Sequence, residues 1–137
     1  MPMMLRLVVA LCCCGVLLAT EKSTIVRNAE VIVVGKLEIA RSFPASDGWH
    51  LKGKIVARDV LWGPARIGDH LDYTFDCIRC RPGIGSELRD YTSRAGIWFL
   101  VRRGETSWTS AGEPTDPGIR PLDERSYVVG ILSKSRR

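Results

Sequence analysis

The chain has 137 residues, a length that fits one domain with a single hydrophobic core. Hydrophobic residues make up 45% of it and charged residues 26%, a balance that argues against wholesale disorder and against a polytopic membrane protein. The formal net charge is +5, but the basic residues are spread along the chain. Composition therefore does not favour nucleic-acid binding and indicates a solvated basic surface suited to an anionic envelope.

The N-terminus has the pattern of a secretory leader. An uninterrupted apolar run at residues 7–19 is too short to span a bilayer comfortably but fits the apolar region of a signal peptide. We therefore predict a signal-peptide helix within residues 1–20 and one secreted or periplasmic domain at residues 21–137. Three cysteines at positions 12–14 lie inside the leader, and membrane attachment is expected only if the leader is retained or lipidated.

Alternation of apolar and polar residues, broken by turn residues, predicts five strands. They are expected at residues 29–39, 50–61, 70–76, 96–102 and 106–109. Gly35 stands where a bulge or sharp bend fits the first strand. Five short strands without a long helix predict an all-β fold, a small antiparallel barrel or sandwich.

The remaining segments predict loops and little helix. Residues 42–48 contain Pro44 and an Asp-Gly pair and predict a loop, and the glycine- and proline-rich residues 103–123 predict a long irregular one. One helical turn is expected at residues 86–91. Residues 127–132 are apolar and form either a closing strand or the start of a short helix.

A C-x-x-C pair, Cys77 and Cys80, is the first candidate site. Once a leader has been removed these are the only two cysteines left, and an oxidising compartment favours a disulfide between them. The pair also fits a thiol-redox couple, since Arg79 and Arg81 would stabilise a thiolate, but the strand-to-helix pattern of a thioredoxin-like motif is missing.

Zinc is an alternative for the same cysteines. The chain has two histidines, so a tetrahedral site would need His50, His70, Cys77 and Cys80 together, at a spacing that fits no regular finger or ribbon. No nucleophile-elbow or phosphate-loop motif occurs in the sequence. We therefore predict a protein that is not an enzyme and carries no cofactor.

Tryptophans provide a candidate binding surface. Trp49, Trp62 and Trp108 fall at predicted turns or strand ends, where a barrel presents side chains to a partner or uses them to close its core. Trp98 lies within an apolar strand and is predicted to belong to the core.

Several of these segments together resemble a known superfamily. They are the run from Ala29 to Lys36, the strand ending in Val60-Leu61-Trp62-Gly63-Pro64, the Gly68-Asp69 turn with the strand into Cys77, and the strand from Gly96 to Val101. Over residues 25–103 they resemble the secreted OB-fold domains of the netrin-like and tissue-metalloproteinase-inhibitor superfamily. The resemblance implies a five-stranded OB-like barrel used as an exported binding module.

The inhibitory activity of that superfamily is not carried over. Its inhibitors chelate the protease zinc through a cysteine at the mature N-terminus, whereas Glu21-Lys22-Ser23-Thr24 follow the expected cut here. The first hypothesis is therefore a non-enzymatic exported module that binds another exported protein or an envelope component. The second is an extracytoplasmic thiol-redox or zinc-binding protein that uses Cys77 and Cys80.

Overall fold

The computed structural model describes residues 24–112 and 116–135, and the leader predicted at residues 1–20 lies outside them. A helical segment at residues 24–28 comes first within this part of the chain. It is followed by β1 (Val31–Ala45), β2 (Gly48–Trp62), β3 (His70–Ile78), α1 (Ile84–Ser93), β4 (Gly96–Arg102), β5 (Trp108–Ser110), β6 (Arg120–Pro121), a 3₁₀ turn (Leu122–Glu124) and α2 (Arg125–Ser135). None of the helices in these ranges is long and apolar enough to cross a membrane.

Five strands close into a barrel in the order β1-β2-β3-β5-β4, with β4 returning to pair with β1. This confirms the predicted all-β, OB-like barrel. The expectation that all its ladders are antiparallel was wrong for one of them, because β3 and β5 run parallel where Tyr73 faces Trp108. A ring with an odd number of strands cannot alternate direction throughout, so at least one neighbouring pair must be parallel.

The barrel interior is filled by the inward-facing residues of its strands. Trp98 is 1% exposed in the core, and its indole N–H donates a hydrogen bond to the Gly35 carbonyl of the neighbouring strand β1 (2.9 Å). Tyr73 packs edge-on against Trp98 and shares a 2.6 Å hydrogen bond with Ser110 on β5. These contacts confirm the prediction that Trp98 belongs to the core.

A second apolar layer covers the outside of β1 and β4. The outward side chains of these strands, such as Ile32 and Phe99, are buried under Val128 and Leu132 of α2 and under Val26 of the helical segment. This second layer explains why β4 has an almost continuous apolar sequence: both of its faces are covered.

The β1–β2 hairpin is longer than the sequence indicated. Residues 42–48, predicted to be a loop, extend both strands as far as a two-residue turn at Ser46 and Asp47. Pro44 is compatible with a strand here because β1 pairs with β4 only up to Gly35, which leaves one edge of its second half without a partner strand among the described residues. A register shift falls between Val34 and Gly35, where the sequence predicted a bulge.

Two other segments differ from the sequence-based expectation. The single helical turn expected at 86–91 is the ten-residue helix α1, whose buried Ile84, Leu88 and Tyr91 form one apolar face. The apolar segment at 127–132, left open between strand and helix, lies in α2. Within the described part of 103–123, β5 starts two residues later than predicted and β6 was not predicted.

Candidate functional site

The predicted site residues are distributed over the two ends of the barrel. Trp49 is the register partner of Cys77, at the end where the β1–β2 hairpin meets the entrance to α1. The sulfurs of Cys77 and Cys80 lie at disulfide distance, with Cα atoms 5.6 Å apart. Trp49 is half-buried between this pair and Phe75, its ring centroid 6.1 Å from that of Phe75. We call this region, formed by Trp49, Cys77 and Cys80, the disulfide end.

The basic residues beside the cysteines are held in different ways. Arg79 adopts a left-handed conformation (φ 51°), which bends the chain tightly enough for the two cysteines to meet. Arg81 forms ion pairs with Glu87 (2.8 Å) and Asp116 (3.2 Å). Hydrogen bonds to these carboxylates raise the pKa of Arg81 above its usual value. The charge of Arg81 is thus paired with two acids.

The other two candidate tryptophans lie elsewhere. Trp62 is 36% exposed at the opposite end of β2 from Trp49. Trp108 is only 8% exposed in the barrel core, with the Arg102 guanidinium 5.0 Å from its ring centroid. Of the three candidate tryptophans, Trp108 therefore belongs to the core, the alternative that the sequence left open, and Trp49 and Trp62 lie at opposite ends of β2. Trp108 starts a strand that has to pack beside β3, and its indole is therefore taken into the core.

The four residues of the candidate zinc site are not brought together. His50 is the register partner of Asp76, near the disulfide end, whereas His70 lies opposite Val56 at the start of β3. His70 and Cys77 are seven positions apart in one extended strand, a separation of about 23 Å that no single ion bridges. In the described ranges no three histidine, cysteine or acidic side chains are grouped as a metal site would require.

The structure instead brings polar side chains together on the outer surface next to the disulfide end. Phe43 (β1), His50 and Lys52 (β2) and Thr74 and Asp76 (β3) face outward, and Arg103 reaches them from the β4–β5 loop. We call these six residues the polar groove.

Asp76 is the centre of the polar groove. Its carboxylate accepts a hydrogen bond from Nδ1 of His50 and forms an ion pair with Nη2 of Arg103 (2.5 Å). The same guanidinium lies 3.4 Å from the Thr74 hydroxyl, and Phe43 packs on His50 with ring centroids 5.2 Å apart. Partial burial raises the pKa of Asp76, but the hydrogen bonds from Arg103 and His50 outweigh this and hold it below its usual value. Asp76 is consequently an ionised acceptor at neutral pH.

Sequence reasoning missed this groove although part of the signal was present. Alternation already placed His50 and Lys52 on the same face of one predicted strand. It likewise placed Thr74 and Asp76 on the same face of the next strand. What it did not supply was the register that sets His50 opposite Asp76, or the loop that returns Arg103 to them.

No protein-family model, no curated protein and no solved structure matches this chain.

Proposed function

We propose that the protein is an exported binding module whose OB-like barrel contacts another exported protein or a component of the cell envelope through the polar groove. The observation that carries the proposal is the double hydrogen bonding of Asp76 to His50 and Arg103. Three separate elements supply these side chains, so the arrangement belongs to the folded surface and not to one local turn. It presents fixed donors and acceptors to a ligand at little cost in side-chain entropy.

Stability alone gives a weak reason for such a cluster. The side chain is 26% exposed at Asp76, 37% at His50 and 49% at Arg103. Ion pairs that are this accessible to solvent typically contribute about 0–1 kcal/mol to the free energy of folding. Arginine and aromatic side chains are enriched at the energetic centres of interfaces. Phe43 provides apolar area beside the charged groups. Both considerations favour recognition as the purpose of the groove.

A thiol-redox activity at Cys77 and Cys80 is the second candidate. It is favoured by the placement of the two sulfurs at disulfide distance, with Cys80 partly exposed at the disulfide end. Cys77, by contrast, is 3% exposed. A zinc-binding version has less support, because it would have to recruit ligands other than His70.

Co-sedimentation with isolated cell envelopes tests the first proposal. The full chain is incubated with envelopes, and the bound fraction is compared for the wild type, Asp76→Ala and Arg58→Ala, an exposed residue of β2 outside the groove. We expect Asp76→Ala to weaken binding about tenfold, in the range of a lost interfacial charge pair, and Arg58→Ala to bind like the wild type. Equal binding by all three proteins, or none by the wild type, would contradict the proposal.

Treating the envelopes with protease before the binding assay distinguishes a protein partner from other envelope components.

The double variant Cys77→Ser with Cys80→Ser distinguishes the two candidate functions, because a binding module keeps its envelope binding without the cysteines. A variant that stays folded by circular dichroism but loses envelope binding would favour the thiol-dependent alternative.

A further inference from the structure

The register of the outer sheet shows how its charges are arranged. In one row Lys54 of β2 lies between Glu38 of β1 and Asp72 of β3, so a cation has an acid on each side. In the next row Lys52 lies between Arg41 of β1 and Thr74 of β3. We call Arg41, Lys52 and Thr74, together with Arg103, the cationic row.

Two like charges face each other in the cationic row without compensation. Leu51 and Gly53 are buried, so the alternating Lys52 points outward, and both Lys52 and Arg41 are exposed. Neither side chain forms an ion pair or a hydrogen bond with any residue in the described ranges. Like charges directly opposite in a sheet destabilise it. The repulsion between Arg41 and Lys52 therefore lowers the stability of the sheet slightly, a loss that the row of Glu38, Lys54 and Asp72 does not have.

Arg103 adds a third cation to this row. Its contact with Asp76 holds the guanidinium over β3, where Nη1 approaches the Thr74 hydroxyl. With the single negative charge of Asp76, the three cations Arg41, Lys52 and Arg103 leave the site a formal charge of +2. Two guanidinium groups, an ammonium group and a hydroxyl thus supply hydrogen-bond donors around one patch of surface.

We propose that the cationic row binds a phosphate group carried by an envelope component. The inference rests on the proposed function, because it uses the same groove, and it adds the class of ligand. A phosphate monoester carries a charge of about −1.5 to −2 at neutral pH and three acceptor oxygens, which matches the site in charge and in donors. A carboxylate offers one charge and two oxygens and leaves part of the site unpaired. Asp76 and Phe43 then contact whatever bears the phosphate.

The test compares two lysines two positions apart in β2. Full-length wild type, Lys52→Gln and Lys54→Gln are titrated with inorganic phosphate at low salt, and backbone amide shifts are followed by NMR. We expect phosphate to shift Lys52, Thr74 and Arg103, and Lys52→Gln to weaken the affinity about tenfold, since several charge-assisted hydrogen bonds act together. Lys54→Gln, which removes the same charge from the compensated row, should change it less than twofold.

Stability separates loss of the site from loss of the fold. Because Lys52→Gln relieves a like-charge contact, we expect it to unfold at a urea concentration equal to or above that of the wild type. Equal weakening by the two glutamine variants would show a diffuse basic surface and would overturn the proposal, as would the absence of phosphate binding by the wild type.

The source of the phosphate is distinguished with vesicles. Flotation with vesicles that contain phosphatidic acid, whose headgroup is a phosphate monoester, but not with phosphatidylglycerol vesicles, whose headgroup is a diester, would identify a lipid headgroup if inorganic phosphate reverses it. Phosphate binding without flotation would identify a soluble or glycan-borne phosphate.

If envelope binding is lost in Asp76→Ala and fully kept in Lys52→Gln, the binding-module proposal stands and the phosphate proposal fails.

Discussion

At the scale of single residues, Asp76 shows how an exposed cluster is organised by one acceptor. Its carboxylate is bonded on one side by His50 of the neighbouring strand and on the other by Arg103 of a distant loop. The loop is otherwise tied by its own contacts, among them the hydrogen bonds between Arg103 and Ser107. Asp76 is therefore what fixes the direction of the Arg103 guanidinium and, through it, the shape of the polar groove.

The lowered pKa of Asp76 makes its contribution to stability dependent on pH. A carboxyl group that is more acidic in the folded than in the unfolded chain stabilises the fold above its unfolded pKa of 3.8, and this stabilisation is lost as pH falls through the folded pKa. We expect Asp76→Asn to cost about 1 kcal/mol at neutral pH, the value of an exposed charge-assisted contact. The cost should shrink at a strongly acid pH, because the wild-type carboxyl is also protonated once the pH falls through its lowered folded pKa.

Urea unfolding of both proteins at the two pH values measures this difference. Asp72→Asn is the matched control, because it removes an exposed carboxylate from the same strand, and it should cost less than Asp76→Asn at neutral pH. A cost for Asp76→Asn that is the same at both pH values would mean that packing, and not the charge, holds the cluster.

At the scale of elements, the sequence predicted those strands whose burial can be recognised from the pattern of apolar residues within the strand itself. The alternation in β2 and β3 marks one face toward a core, and the apolar sequence of β4 marks two covered faces. The parallel β3–β5 ladder could not be found in this way, because it depends on where a three-residue strand docks after a loop. The helix α1 was underestimated because turn residues surround its apolar face, although Ile84, Leu88 and Tyr91 have helical spacing.

Helix α2 offers a direct test of the second apolar layer. Val128 is 3% exposed against β1 and β4, while the adjacent Val129 is 44% exposed. Replacing either valine with alanine removes the same two methyl groups and changes helix propensity equally. We expect Val128→Ala to destabilise the protein by about 2 kcal/mol, from lost burial and a small cavity.

Thermal or urea unfolding checks this expectation, with Val129→Ala as the internal control. Val129→Ala should be neutral or slightly stabilising, since alanine is the better helix former. Equal effects of the two substitutions would mean that α2 does not cover the barrel in solution, and the outer faces of β1 and β4 would then need another partner.

At the scale of the whole molecule, the two candidate surfaces lie at one end of the barrel. The disulfide end and the polar groove meet at Trp49 and His50, which are consecutive residues on opposite faces of β2. Trp62 stands at the other end. Of the residues proposed from sequence, Trp49, Cys77 and Cys80 are brought together by the β2–β3 register. The same register separates His70 from them, and the pairing of β5 with β3 and β4 separates Trp108. No single-sequence pattern encodes either pairing.

The predicted export connects the leader to the state of Cys77 and Cys80 and can be tested on the whole chain. We expect the protein recovered from its host to have the mass of about residues 21–137, less two hydrogens, and to resist alkylation unless it is first reduced. The predicted signal peptide would deliver the domain to an oxidising compartment, where two cysteines with Cα atoms 5.6 Å apart are expected to stay oxidised.

The mass of the recovered protein tests cleavage of the leader, and alkylation tests the disulfide, so each expectation can be contradicted on its own. A full-length or acylated mass would contradict the cleaved leader and would indicate that the domain is attached to a membrane. Thiols that react with an alkylating reagent before reduction would contradict a permanent disulfide, and Cys80, which is more accessible than Cys77, should then react first. A trimmed chain with free thiols would therefore keep the binding proposal and favour the thiol-dependent activity beside it.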